Sequence, residues 1–234
     1  MPEPRRKRGR ERVYDAERTR EAILGAAEAV FAEHGFDGTS VDAIAAQAGY
    51  NKSLLFQYFG DKLGLYTQVL KRADREMGEL LAHVFAPGLS DETAASQAYR
   101  LRAFLETMVQ TLLDYLLEHP RFVRMLTWEM AEGWQTFTQI ASQFPPEDRD
   151  QFETLFHQTR SAGLLRSSFV PMIQLSMVLQ ICLSYLTFMP LYQMVLLPGE
   201  DLSSASAFAR AREYLVDFVV AGMMIDLPET KPRD

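Results

Sequence analysis

Gly38-Thr39-Ser40-Val41-Asp42-Ala43-Ile44-Ala45-Ala46-Gln47-Ala48-Gly49-Tyr50-Asn51-Lys52-Ser53-Leu54-Leu55-Phe56-Gln57-Tyr58-Phe59 reads as two short helices joined by a glycine-containing turn, the build of a helix-turn-helix. Thr39 or Ser40 can cap the first helix, and Asp42 suits its positive start or answers Thr39 as a shortened capping box. Val41, Ile44, Ala45 and Ala48 recur at three- and four-residue steps, a narrow apolar stripe that must pack on something else. Gly49 supplies the left-handed position that ends a helix, and Asn51 or Ser53 can cap the next one. In that second helix Leu55 and Phe59 turn inward while Lys52, Ser53, Gln57 and Tyr58 stay outside. Lysine suits guanine acceptors and glutamine the adenine edge, so Lys52, Ser53 and Gln57 are the candidate base readers. Leu54 and Phe56 can meet a thymine methyl or a sugar, or simply cover the small core.

Upstream, a helix is expected from about Asp15 to His34, with Ile23, Ala27, Val30 and Phe31 inward and Gly35 stopping it. The run Arg5, Arg6, Lys7, Arg8, Gly9, Arg10 before it reads as a loose cationic arm, suited to phosphates or to a narrow A·T-rich minor groove. The net charge of −7 excludes a generally basic nucleic-acid coat. Its sign is uneven: residues 1–72 hold 12 Lys/Arg against 10 Asp/Glu, and the remainder 12 against 21. DNA contact is therefore expected in the first part. Cys182 stands alone, which excludes a disulfide framework and a cysteine zinc site and fits a reducing cytoplasm. The opening residues have no apolar core of the kind an export signal needs, so a cytoplasmic protein is expected.

Downstream, a long helix is expected from Asp61 to about Phe85, a break at Pro87-Gly88, then helices near 92–118, 120–142, 146–162, 169–196 and 203–225. Pro120, Pro145-Pro146, Gly163 and Pro198-Gly199 mark the breaks, and no segment shows sustained strand alternation. Ser167 to Gly199 holds no charged residue and is long enough to span a bilayer. Gln174, Gln180, Gln193 and Pro190 interrupt it and no strong cationic anchor flanks it, so a helix buried on all sides is expected and no membrane. The middle helices are rich in Met and aromatic residues, which suit ordinary core and equally the lining of a roomy apolar cavity.

The ordered string Thr-Ser-Val-x-x-Ile-Ala-x-x-Ala-Gly, followed by Tyr58-Phe59 and Asp61-Lys62-Leu63, resembles the DNA-binding domain of TetR-family transcriptional regulators over roughly residues 15–70. It departs from the common pattern at Phe56, where tyrosine is usual, and at Asn51, where serine or threonine is frequent. The resemblance implies an all-α fold: an arm over 1–14, a three-helix helix-turn-helix domain over 15–62, a ligand-binding and dimerisation bundle over 63–227 and a tail over 228–234. Thr39, Ser40, Tyr58 and Lys62 are then the phosphate-positioning candidates, with Asn51 and Phe56 joining the DNA-facing set. It further implies a homodimer through the last two long helices, on a palindromic double-stranded operator.

An effector pocket in the middle helices follows from the same resemblance. Its candidate contacts are Met108, Leu112, Met125, Trp128, Glu129, Trp134, Phe137, Phe156, Met177 and Tyr185. Glu129 is the conspicuous charge among them, so the expected effector is small and mainly hydrophobic, and the default action is repression that it relieves. A DNA-binding regulator or adaptor without an effector is the alternative. Enzymatic activity is not expected. His34, His83, His119 and His157 are scattered and form no metal pair, and no glycine loop cradles a phosphate, so no cofactor or metal is implied.

Overall fold

The computed structural model describes residues 5–85, 94–144, 157, 160–161, 163–166 and 171–225; side chains are described over these ranges except at 5–14, 81–85, 94–96, 171–172 and 175. Among the described residues lie nine α-helices: α1 Arg5–His34, α2 Val41–Ala48, α3 Lys52–Phe59, α4 Lys62–Phe85, α5 Ala94–Glu118, α6 Pro120–Ala131, α7 Gln135–Ile140, α8 Pro171–Leu191 and α9 Ala205–Met223. No strand is formed among these residues; the sole β-type pairing is an isolated bridge between Leu165 and Met224. The expected breaks at Pro87-Gly88 and Pro145-Pro146, and most of the helix expected at 146–162, lie outside the described residues.

Two compact units share these elements, the described residues up to Glu76 with Pro120–Phe144 forming one and Met77–His119 with the residues from His157 onward the other. The division falls within α4. The first unit closes around Ile23, Leu24, Ala27 and Phe31 of α1, Ile44 of α2, Leu55 and Phe59 of α3, Leu65, Tyr66 and Val69 of α4, and Met125 of α6. Phe31 and Phe36 meet the Tyr66 ring edge-on, at 4.9 and 5.1 Å between centroids, a favoured aromatic geometry. The second unit buries Leu101, Leu105, Met108 and Val109 of α5 with Val178, Cys182 and Leu183 of α8 and Leu215, Val216 and Val219 of α9. Arg212 of α9 pairs with Asp114 of α5.

Three elements depart from the sequence reading. The helix expected from Asp15 starts at Arg5, a stretch rich in the good helix formers Arg, Lys and Glu. The single helix expected over 120–142 is two, broken where Gly133 and Trp134 both take left-handed backbone at φ 69° and 62°. The apolar helix expected over 169–196 ends as α8 at Leu191: Pro190 has no N–H to continue the ladder, and the chain runs on through a wider π-helical turn, Tyr192–Leu196.

Candidate nucleic-acid interface

Local chemistry shapes the reading motif before any tertiary contact does. Ser40 is the cap of α2, its hydroxyl accepting from Ala43 N at 3.1 Å, and Asn51 is the cap of α3, its Oδ1 accepting from Leu54 N at 2.8 Å. Between them Gly49 turns the chain at φ 73° and ψ 24°, backbone that glycine adopts without the clash an L side chain would meet. Ile44 and Ala45 anchor α2 and Leu55 and Phe59 anchor α3. What remains outward on α3 is two rows at four-residue spacing, Lys52 with Phe56 and Ser53 with Gln57, all exposed. Phe56, at 41% exposure, is an outward side chain and not a cover for the core. Leu54 is half-buried against that core.

Two residues expected to meet phosphate are turned inward instead. Thr39 is buried and its hydroxyl donates to Gly35 O at 2.6 Å, closing the end of α1. Lys62 donates to Phe36 O at 2.8 Å and Thr39 O at 3.1 Å, with its ammonium 4.2 Å from the centre of the Phe36 ring. Both fasten the α1–α2 loop by donating to backbone carbonyls of that segment. Asp61, not Lys62, serves the start of α4, its Oδ1 accepting from Gly64 N at 2.7 Å. Tyr58 is half-buried beside Phe59. The backbone of Arg5, Arg6, Lys7, Arg8 and Arg10 is helical, and their side chains lie outside the described residues.

Behind the motif, α1 is clamped to α4 by Arg20 Nη2 to Gln68 Oε1 at 2.6 Å and by the pair Arg72–Glu28. From the other side, Arg124 and Trp128 of α6 both donate to Ala32 O, at 3.0 and 3.4 Å. Glu129 is 1% exposed. Its Oε1 accepts from the Tyr66 hydroxyl at 2.6 Å and its Oε2 from Phe137 N at 3.0 Å. The second bond supplies α7 with the cap that Trp134, at its N-terminal end, does not give. Burial, then the hydrogen bond to Glu129, then the charges of Glu129 and Glu132 push the Tyr66 phenol far above its ordinary value, so it remains a donor.

The residues expected to line one effector pocket are divided by the structure. Met125, Trp128, Glu129, Trp134 and Phe137 belong to the unit that holds the helix-turn-helix, whereas Met108, Leu112, Met177 and Tyr185 belong to the other. Phe156 lies outside the described residues. Met125 is core, Trp128 and Glu129 are engaged as above, and Trp134 meets Phe137 edge-on at 5.9 Å. Five of the ten thus fall in the first unit and four in the second. Two contacts went unmarked by the sequence: that of Tyr66 with Glu129, far along the chain, and that of Asp42, marked only for the start of α2, whose Oδ2 lies 2.7 Å from Lys52 Nζ.

A three-helix DNA-reading head continued into a helical bundle is the class that this architecture defines. The model of bacterial regulatory proteins of the tetR family matches residues 23–69, and that of the tetracyclin repressor-like C-terminal domain matches residues 102–219. The chain belongs to the TetR family of bacterial regulators. It is 36% identical over 118 residues to the HTH-type transcriptional repressor SCO4008 of Streptomyces coelicolor, covering 50% of this chain and 53% of that one. It is also 32% identical over 118 residues to the HTH-type transcriptional repressor NicS of Pseudomonas putida, covering 50% of this chain and 51% of that one. The chain thus spans about half the length of these curated relatives. Among solved structures, a TetR family transcription regulator from Marinobacter aquaeolei superposes with a TM-score of 0.62 at 20% identity, covering 92% of this chain and 100% of that one, a likeness of fold. The curated relatives are named as transcriptional repressors, activators or regulators, and the family is one of regulators, not enzymes.

Proposed function

We propose that this protein is a cytoplasmic DNA-binding transcriptional regulator that acts as a homodimer on a palindromic operator and is released from it by a small, mainly hydrophobic effector. The observation that carries the reading is the outward face of α3, where Lys52, Ser53, Phe56 and Gln57 stand exposed on a helix capped at its start and fastened from behind. Lys52, Ser53 and Gln57 read base edges, Phe56 meets a thymine methyl or a sugar, and Ser40, Asn51 and Tyr58 lie along the phosphates with the basic arm. Thr39 and Lys62 act by holding the α1–α2 loop that presents Ser40.

The dimer reading is supported by what the single chain leaves uncovered. Ile173, Met177 and Phe188 of α8 and Tyr214 and Phe218 of α9 are exposed, Tyr214 at 68%. The segment Ser176–Leu196 is by length and composition able to cross a membrane, yet Val178, Cys182 and Leu183 already pack one side of it into the bundle. A second copy would cover the other side. The effector belongs to the unit of α5, α8 and α9, with Met108, Leu112 and Tyr185 as its contacts. Coupling runs through α4, which contributes Lys62–Glu76 to the first unit and Met77–Phe85 to the second. About 1–3 kcal/mol of coupling gives roughly 5- to 150-fold control.

Fluorescence anisotropy of the purified protein on its own upstream DNA, beside a scrambled duplex of equal length over a salt series, tests the reading. Tight binding that prefers the upstream duplex is expected. Equal binding to both, falling steeply with salt, would leave only phosphate contacts and overturn it.

A further inference from the structure

We infer that Asp42 determines how selectively the reading face binds, by holding the Lys52 ammonium in the place that a DNA anion would take. This rests on the DNA-binding reading proposed above. The two carboxyl-to-ammonium atoms are 2.7 Å apart, joining the first turn of α2 to the first position of α3, and both side chains are open to water at 70% and 46% exposure. Lys52 also lies over the Phe56 ring, 5.9 Å from its centre. Its position is thus set by two neighbours on the face it shares with Ser53 and Gln57.

Charge makes the consequence specific. Across α2 and α3 Lys52 is the one cation and Asp42 the one anion, so the reading helices are together neutral. Affinity for DNA of any sequence comes from cations that neutralise phosphates and release their counterions. A phosphate that approaches Lys52 must displace a carboxylate of the same charge and stay beside it once displaced, which removes most of the gain. A base acceptor in the groove is neutral, meets no such repulsion, and is present only in the right sequence. Ser53 and Gln57 are neutral and are not penalised. Asp42 accordingly weakens unrelated DNA more than the matching site. An exposed pair of this kind exchanges easily, its strength corresponding to a factor of about 1.5 to 5.

The test uses the full chain as wild type, Asp42→Asn, Asp42→Glu, Lys52→Gln and the Asp42→Asn/Lys52→Gln double variant. The probes are a short duplex of arbitrary sequence and the duplex that the wild type enriches most from a randomised pool, read by anisotropy over a salt series. Asp42→Asn is expected to bind the arbitrary duplex about 2- to 5-fold more tightly, with a slope of log affinity on log salt steeper by up to about 0.9 per site. Affinity for the enriched duplex should change less, so the ratio between the two falls. Asp42→Glu, which keeps the carboxylate, should restore the wild-type ratio, and the gain should vanish in the Lys52→Gln background.

An unchanged arbitrary-duplex affinity in Asp42→Asn overturns the inference. So does a gain of equal size without Lys52, which would make Asp42 a simple repulsive charge. If the wild type enriches no duplex, the sequence-reading proposal fails by itself, while the arbitrary-duplex arm still shows whether Asp42 restrains Lys52.

Discussion

Glu129 shows how much a single buried carboxylate can organise. With both oxygens engaged it joins Tyr66 of α4 to the start of α7, and truncation would leave one buried and one part-buried donor without partners. Glu129→Ala should therefore lower unfolding stability by about 2–4 kcal/mol in urea denaturation; a loss below about 1 kcal/mol would mean that water replaces the carboxylate. Glu132, close by, has its carboxyl pushed up by burial first and then by the Asp37 and Glu129 charges. A carboxyl raised in the folded state favours folding when protonated, and that increment is lost as pH rises from the ordinary carboxylate value through the raised one. Glu132→Gln should consequently raise the melting temperature at neutral pH and leave it unchanged in acid below the ordinary carboxylate value. Neither role was legible in the sequence. Tyr66 and Glu129 are 63 residues apart, and no periodicity within a helix announces a partner at that distance.

At the scale of the element the local signals were stronger. Gly49 was readable as the stop and Asn51, with Ser53 as its alternative, as the cap, because capping is settled within three or four residues of chain. Asn51→Ala should cost about 1 kcal/mol of stability, and Gly49→Ala about 1–2 kcal/mol since its backbone is left-handed. Thermal unfolding checks both, and Asn51→Ala should also weaken DNA binding by loosening the start of α3. Choices between neighbours were less readable. Thr39 and Ser40 were equal candidates for the α2 cap until the fold buried Thr39 against the end of α1. The break between α6 and α7 had only Gly133 as its signal, because the bond that sustains it comes from the buried Glu129.

For the whole molecule the strongest expectation concerns assembly. Phe218→Glu places a charge on the exposed apolar face of α9, and sedimentation should find a dimeric wild type and a monomeric variant that retains its helical circular dichroism. A monomeric wild type would refute the dimer. The helical class, the helix-turn-helix and the outward Lys52, Ser53 and Gln57 were determined by the sequence alone, since apolar spacing, capping chemistry and glycine backbone all act over a few residues. Tertiary structure alone decided that Thr39 and Lys62 point inward, that Lys52 is held by Asp42, and that α6 and α7 join the unit of the reading head while α8 and α9 belong to the other. Those outcomes depend on which distant groups are brought within hydrogen-bonding reach when the core closes, and chain spacing carries no record of that distance.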